Sequence, residues 1–167
     1  MKKTFSLQAK EKKHVLKKEI SCCFTGHRTV GEDLNVDELK RVIKQVAQQG
    51  YTRFLCGMAV GFDSLCFDVC KELKKEIPQI TLVACVPCKN QDAYFSKQEK
   101  AAYKARLSCA DEVIVLSPHY FEGCMQVRNR YMVDHSSVLI TYLRKEEGGA
   151  FYTSTYGEKK MTQQILV

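Results

Sequence analysis

The sequence has no tryptophan, and among its 167 residues only three are proline and nine are glycine. It also has no long hydrophobic run. The best apolar segments, residues 81–87 and 113–116, have the length of strands, which excludes a membrane-spanning helix. The lysine-rich N-terminus has no apolar central region of the kind found in secretory signals, so we expect a cytoplasmic protein without a membrane partner. A chain of this length can bury the core of one domain.

The net charge of +7 is concentrated at one end of the chain. Residues 1–19 hold seven lysines and two glutamates, a balance of +5, so the remaining 148 residues carry only +2. A lysine-rich end is more often a solvated tail than a binding arm. We therefore divide the chain into a Lys-rich tail, residues 1–19, and one domain, residues 20–167. Because the domain itself is weakly charged, nucleic acid is an open but disfavoured partner.

Nine cysteines are scattered through apparent strands and helices, and an odd number in this arrangement does not indicate a secreted disulfide framework. Only the Cys85-Val-Pro-Cys88 spacing has chemical meaning, as a redox pair at a strand end or as half of a zinc site. No second Cys-x-x-Cys and no paired histidine supplies the other two zinc ligands. We therefore predict free thiols, no metal site and no required cofactor.

Strand and helix patterns alternate along the domain. Apolar segments at residues 20–24, 53–56, 80–86, 112–116 and 138–143 predict five strands. Helices are predicted to begin at Asp33 or Asn35, to cover residues 64–77, 92–109 and 124–134, and to end the chain after residue 149. The alternation predicts an α/β fold, a Rossmann-like three-layer α/β/α domain with a mainly parallel sheet of about five or more strands.

Glycine-containing turns follow three of the predicted strands. Their candidate ligand-binding residues are Gly26, His27 and Arg28, then Gly57, Gly61 and Asp63, and finally Gly148, Gly149 and Thr153. Open parallel sheets bind ligands outside the carboxyl ends of their strands, where glycines allow close approach and helix N-termini offer free amides to phosphate. Each turn alone is most simply an ordinary strand-to-helix connection, and the sequence has neither a Walker motif nor the three-glycine dinucleotide fingerprint. Three such turns on one rim favour phosphate or nucleotide binding.

The helix predicted over residues 124–134 carries Asn129 between Arg128 and Arg130. The pattern alone is typical of a surface helix whose methionine side chains face the core. Because the helix must approach the rim of the sheet, we expect Arg128 and Asn129 to line the wall opposite Asp63. Asp63 has two interpretations, an acceptor for ribose hydroxyls or the N-cap of the helix that follows it.

Three segments taken in order resemble the YpsA-like branch of the SLOG (Smf/DprA and LOG) superfamily. They are Thr-Gly-His-Arg at 25–28, Gly-Met-Ala-Val-Gly-Phe-Asp at 57–63, and the segment 125–134. Pro87 with Gln91, and Gly148-Gly149 with Thr153, resemble later motifs of that branch, so the likeness runs from about residue 20 to residue 160. It implies a Rossmann-like fold that binds a nucleotide or nucleotide-derived ligand, with Gln91 among the binding residues. Some relatives are cytokinin-activating phosphoribohydrolases, the LOG proteins, and DprA-like relatives bind single-stranded DNA.

Two motifs of the LOG enzymes have similar segments in this chain. Met125-x-x-Arg128 is similar to their Met-x-x-Arg motif, and the Gly148-Gly149 pair with Thr153 takes the place of their Gly-Gly-x-Gly-Thr phosphate loop. Those enzymes place a catalytic glutamate three residues after the threonine, where this chain has Tyr156. The resemblance therefore implies a retained pocket without the known catalytic acid.

These observations leave three functions open. The first is binding of a small nucleotide-like molecule, such as a nucleoside monophosphate, ADP-ribose or an NAD-like dinucleotide, as in a sensor. The second is hydrolysis of a nucleotide N-glycosidic bond, with Asp63, Arg128 and Glu158 as candidate catalytic residues. The third is DprA-like binding of single-stranded DNA, which only the basic tail favours. The identity of the ligand and assembly as a homo-oligomer are left open by the sequence.

Overall fold

Six strands alternate with five helices from residue 21 onward in the computed structural model, which describes residues 17–160 and 162–167. The elements are β1 (Ser21–Gly26), α1 (Val36–Gln48), β2 (Arg53–Cys56), α2 (Phe62–Leu73), β3 (Thr81–Val86), α3 (Lys97–Cys109), β4 (Glu112–Val115), α4 (Cys124–Asp134), β5 (Val138–Tyr142), α5 (Gly148–Lys159) and β6 (Gln163–Leu166).

The six strands form one sheet in the order β4-β3-β2-β1-β5-β6, and every neighbouring pair is parallel. The chain moves outward from β1 to β4 and then crosses to the other side of β1 to form β5. The strand order therefore reverses between β1 and β5, the place where open α/β sheets bind their ligands. The predicted Rossmann-like fold with a mainly parallel sheet of five or more strands is confirmed.

Helices cover both faces of the sheet, which gives the three predicted layers. The larger core cluster joins the sheet to α1, α2 and α3, and it contains Phe24 stacked on Phe54 at 5.9 Å between ring centroids. The smaller cluster joins the other face to α4 through Met132 and Val133. Because both faces are covered, β1, β2 and β5 are buried and read as apolar runs.

Two helix starts follow from side-chain caps. Asn35 caps α1, because its side chain accepts a hydrogen bond of 3.1 Å from the backbone N–H of Glu38. Of the two predicted starts of this helix, Asp33 and Asn35, the second is therefore the one observed. Ser96 and Glu99 form a capping box at the start of α3. The helix predicted from residue 92 therefore begins only at Lys97.

The start of α2 corrects the prediction for Asp63. The helix begins at Phe62, two residues before the predicted position, and its N-cap is Gly61 with a φ of +97°. Asp63 lies inside the first turn of the helix. The N-cap interpretation of Asp63 is therefore wrong.

The end of the chain differs from the prediction in a second way. The helix predicted to be the last element, α5, is followed by β6, which pairs in parallel with β5. Strand β6 is a short edge strand that begins with two glutamines and is only partly buried, so its sequence lacks the apolar run of the central strands. Gly148 and Gly149 also belong to the first turn of α5 and do not precede it.

Most of the predicted Lys-rich tail, residues 1–16, lies outside the described residues. The last part of it contacts the domain, since the hydroxyl of Ser137 donates a hydrogen bond of 2.9 Å to the carbonyl of Lys18. Within residues 17–160 and 162–167, every helix is too short or too polar to cross a membrane.

Candidate functional site

A cleft of about 620 Å³ opens at the carboxyl ends of β1 and β5, where the strand order reverses. Its size is within the range of pockets that hold small ligands. The predicted binding residues that line it are Gly26, His27, Arg28, Asp63, Gln91, Arg128, Asn129, Gly148 and Gly149. The other three predicted residues, Gly57, Gly61 and Thr153, lie beside the cleft and are not part of its lining.

His27 joins the loops that follow β1 and β5. Its Nε2 accepts a hydrogen bond of 2.8 Å from the backbone N–H of Arg144, so this nitrogen carries no proton. The pKa of His27 is lowered by burial first, and then by the positive charges of Lys145 and Arg144. The ring also meets Tyr142 edge to face, at 5.8 Å between centroids. His27 therefore ties the two loops together in the lining of the cleft, and its lowered pKa favours the neutral imidazole.

Arg28 is an exposed cation of the lining. Its side chain is 63% exposed and lies 3.9 Å from a carboxylate oxygen of Glu99. Its guanidinium also lies 6.0 Å from the centre of the Phe95 ring. Exposed pairs of this kind contribute little to stability, so Arg28 can turn toward an anion in the cleft at low cost.

Arg128 is the buried cation of the lining, with 4% of its surface exposed. Its guanidinium donates to the backbone carbonyl of Gly57 and lies 3.5 Å from that of Cys85, at the ends of β2 and β3. Its Nε donates to the side chain of Asn129 at 2.7 Å. A Cβ atom on Gly57 would lie 2.7 Å from the centre of this guanidinium. Gly57 therefore serves the site indirectly, by leaving room for Arg128.

Asp63 lies beside Arg128 and not on the opposite wall, as the sequence had led us to expect. A Cβ atom on Gly57 would lie 2.7 Å from both the Asp63 carboxylate and the Arg128 guanidinium. Burial raises the pKa of Asp63, and the positive charge of Arg128 opposes that increase. The arrangement places a carboxyl group with a raised pKa at the edge of a basic cleft.

Gly61 allows the loop after β1 to pass close to the start of α2. A Cβ atom on Gly61 would overlap the backbone carbonyl of Arg28, and the φ of +97° favours glycine independently. The neighbouring N–H of Phe62 donates to the carbonyl of His27 at 3.2 Å. Gly61 thus fixes the position of the segment that carries His27 and Arg28.

The N-terminus of α5 contributes backbone groups to the cleft. Gly148, Gly149 and Ala150 all line it, and the side chain of the N-cap residue, Glu147, makes no capping hydrogen bond. No heavy atom lies within 4 Å of where a Cβ on Gly148 or Gly149 would be placed. The amides of a first helical turn have no intrahelical acceptor, so this open end of the helix attracts anions.

Thr153 was predicted to bind phosphate at the start of a helix, but it lies beyond the first turn of α5. It is 1% exposed, and its hydroxyl donates a hydrogen bond of 2.8 Å to the carbonyl of Gly149 one turn earlier. Within this structure Thr153 therefore contacts the helix backbone and does not face the cleft.

Sequence reasoning missed the loop after β5, which supplies Arg144, Lys145 and Glu147 to the lining. Arg144 lies 4.3 Å from the centre of the Tyr142 ring and forms an ion pair with Asp33. These residues belong to no motif and show no periodicity. The one feature that could have indicated them is their position directly after a strand adjacent to β1. With them, the lining holds four basic side chains against two acidic ones, which favours a negatively charged ligand.

The position equivalent to the LOG glutamate lies outside the cleft. The hydroxyl of Tyr156 donates a hydrogen bond of 2.8 Å to the carboxylate of Asp134 on α4. Glu158 is exposed and is also absent from the lining. The carboxylates that do line the cleft are Asp63 and Glu147, and the second of them was not predicted.

All nine cysteines have free thiols, and only Cys109 is exposed. Burial raises the pKa of Cys85 to about 12. Cys88 is buried against Cys124, and burial also raises its pKa. Within the described ranges, no group of three or more histidine, cysteine or acidic residues could hold a metal ion.

Known proteins resemble this chain in fold or in sequence. Two solved structures of DNA processing protein A (DprA) have the same fold. The protein from Streptococcus pneumoniae superposes with a TM-score of 0.66 at 15% identity, over 87% of this chain and 49% of that one. The protein from Helicobacter pylori, described for its single-stranded DNA binding mode, gives 0.63 at 16% identity, over 92% of this chain and 67% of that one. The chain thus spans about half the length of the S. pneumoniae protein.

Two relatives are similar in sequence. An uncharacterized SPbeta prophage-derived protein, YoqJ, of Bacillus subtilis (strain 168) is 31% identical over 74% of this chain and 80% of its own length. A UPF0398 protein of Ligilactobacillus salivarius (strain UCC118) is 25% identical over 68% of this chain and 64% of its own length. The model of the YspA SLOG family (YpsA) matches residues 31–165. The chain therefore belongs to the YpsA family of SLOG proteins.

Proposed function

We propose that the cleft binds a nucleotide-type small molecule through its phosphate, such as a nucleoside monophosphate, ADP-ribose or an NAD-like dinucleotide. One observation carries the proposal. The open N-terminus of α5 and the basic side chains of the lining face the same cleft, at the point where the strand order reverses.

The phosphate is assigned to the α5 side of the cleft. The first-turn amides of Gly148 and Gly149 are directional donors, and Lys145 and Arg144 add positive charge beside them. Arg28 completes the set from the loop after β1, because its exposed side chain is free to turn toward the ligand. Because these groups are donors and cations, the proposal includes no metal or other cofactor.

Binding without cleavage is the form of this function that the cleft favours. Breaking an N-glycosidic bond builds positive charge on the ribose, which a nearby carboxylate would stabilise. Tyr156 occupies the position of the LOG glutamate and is turned toward Asp134. Two carboxylates line the cleft. Asp63 is buried beside Arg128, and burial raises its pKa. Glu147 is exposed and pairs with Lys145 at 3.5 Å. A sensor or carrier domain therefore fits these residues better than a hydrolase.

Isothermal titration calorimetry with AMP and adenosine tests the proposal directly, because the two ligands differ only in the phosphate. We expect AMP to bind at least about tenfold more tightly, a difference of roughly 1.4 kcal/mol. ADP-ribose and NAD extend the series to larger ligands. Equal binding of AMP and adenosine, or no binding by any nucleotide, would contradict the proposal.

A single-stranded oligonucleotide belongs in the same experiment, because one DprA structure with this fold is described by its single-stranded DNA binding. Binding to a polyanion weakens steeply with salt, whereas a single phosphate in a cleft gives a shallow dependence. Tight oligonucleotide binding with a steep salt dependence and no AMP binding would replace the small-molecule proposal with the DNA-binding one.

A further inference from the structure

A second groove, of about 290 Å³, lies between the start of α2 and the length of α3. It shares Val60 and Phe95 with the lining of the cleft, so the two spaces are neighbours. Apolar and aromatic side chains form much of its surface, among them Met58, Ala102 and Tyr103. The cleft is basic and its neighbour is aromatic.

Two rings form the aromatic side of the groove. Phe95 and Tyr103 meet at 5.6 Å between centroids, with their planes 88° apart. The Tyr103 hydroxyl donates to the side chain of Gln91 at 3.2 Å. Burial raises the pKa of Tyr103 to about 12, so the phenol stays neutral and its ring serves as an apolar wall. Planar rings of a ligand stack or meet edge to face with such side chains.

Met58 adds an independent observation. Its φ of +62° makes it the one non-glycine residue in the left-handed region among the described residues. This conformation is uncommon for residues other than glycine, and it persists where the surrounding structure holds it in place. Met58 is 3% exposed and lines the groove. Its thioether is suited to contact with an aromatic ring.

Arg28 lies at the boundary between the two spaces. Its guanidinium is 6.0 Å from the centre of the Phe95 ring and 3.9 Å from the Glu99 carboxylate, and both of those residues line the groove. A side chain at this boundary can contact the ring of a ligand on one side and its phosphate on the other.

We propose that this groove binds the aromatic base of the nucleotide whose phosphate occupies the cleft. The assignment rests on the proposed function, and it adds the place and the chemistry of base recognition. The continuity of the two spaces favours one ligand over two, because a nucleotide carries its anionic and its aromatic parts on a single ribose. The occupant is therefore a base-bearing nucleotide and not a phosphorylated sugar alone.

The test compares AMP with ribose 5-phosphate by calorimetry on the parent protein and two variants. Ala102→Phe fills the groove, whereas Ala101→Phe puts the same ring on an exposed position of the same helix and serves as the matched control. In the parent and in Ala101→Phe, we expect AMP to bind at least about tenfold more tightly than ribose 5-phosphate. In Ala102→Phe, the affinity for AMP should fall to that for ribose 5-phosphate. The affinity for ribose 5-phosphate should equal that of the parent.

Met58→Gly provides a second variant that relieves the backbone strain, so it keeps the proposal testable if Ala102→Phe does not fold. This variant should bind AMP more weakly than the parent does and should bind ribose 5-phosphate with unchanged affinity. Equal affinities of the two ligands in the parent would show that the base makes no contact and would overturn the groove assignment. AMP affinity that is unchanged in both variants would place the base elsewhere and overturn it as well. Absence of binding by both ligands would instead refute the proposed function itself.

Discussion

Gln91 and Arg128 donate hydrogen bonds to the same acceptor, the backbone carbonyl oxygen of Gly57. Gln91 does so at 3.0 Å and at the same time accepts from Tyr103 in the aromatic groove. A continuous chain of hydrogen bonds therefore links the wall of the groove to the buried guanidinium of the cleft. Both spaces therefore depend on the turn after β2, whose first residue is a glycine because a Cβ atom there would meet Arg128 and Asp63.

Replacement of Arg28 by alanine should abolish the thermal shift given by the nucleotide that binds best. The apo protein should keep a melting temperature near that of the parent, because the exposed pair with Glu99 contributes little. Arg41→Ala is the matched control, since Arg41 has the same exposure and a carboxylate partner on α1, away from the cleft. A ligand response of Arg28→Ala equal to that of the control would remove Arg28 from the site.

Gly61→Ala should be much more destabilising than Gly50→Ala. Both glycines have φ near +100°, so both substitutions carry the left-handed penalty of about 1–2 kcal/mol. Only at Gly61 would the new methyl group overlap the backbone of Arg28, since nothing lies within 4 Å at Gly50. We expect an additional loss of about 1–3 kcal/mol from this overlap, measured by urea denaturation. Equal losses at the two positions would contradict the close packing of this loop on α2.

Protonation of His27 should destabilise the folded protein. Burial and the neighbouring cations lower the pKa of His27 in the folded state below its ordinary value of 6.5. The unfolded chain then binds the proton more tightly, so the free energy of unfolding decreases as the pH falls through that value toward the folded pKa. Urea midpoints measured from about pH 8 to about pH 5 should fall less steeply in His27→Gln than in the parent. Parallel curves would show that His27 does not carry this effect.

The native protein should react rapidly with a disulfide reagent at a single thiol. Cys109 is the exposed cysteine, while burial raises the pKa of buried thiols such as Cys23 and Cys85 to about 12 and suppresses the reactive thiolate. Titration with Ellman's reagent should give one fast equivalent, with all nine after denaturation. Cys109→Ser should remove the fast reaction. A second fast thiol that disappears in Cys88→Ser would mean that the Cys85-Val-Pro-Cys88 segment is chemically accessible.

Incubation with AMP, GMP, ADP-ribose or NAD should release neither base nor ribose phosphate. The reason is the position of Tyr156, whose hydroxyl is neutral and bound to Asp134, so it cannot replace a carboxylate. Chromatography of the reaction mixture measures the products. Multiple turnovers that vanish in Asp63→Asn would show that the acid has moved to Asp63 and that the protein is a hydrolase.

The sequence was most informative where a physical rule leaves few alternatives. The bounds of β2 and α4 are as predicted. Alternation of strands and helices was sufficient for the parallel sheet, and glycines at strand ends located the rim on which the cleft lies. The sequence could not reveal β6, because its polar residues lie on an exposed edge.

The site was harder to predict than the fold, because side-chain positions depend on tertiary contacts. Asp63 was placed on the wrong wall, since nothing in the sequence shows that Arg128 turns inward to the carbonyl of Gly57. Arg144 and Lys145 were overlooked, because a charged loop has no pattern until β5 is known to lie beside β1. Thr153 matched a motif, yet its hydroxyl bonds to the helix backbone.

The crossing of the chain from β4 to β5 makes the cleft depend on a pairing between distant parts of the chain. The pairing of Cys22 with Val138 joins residues far apart in sequence, and closing so long a loop costs conformational entropy. The segments that contribute Gly26 and Gly148 are brought together only when this pairing is complete. A ligand of the cleft would therefore bind the finished sheet and not its first four strands, and by mass action it would hold the crossover closed.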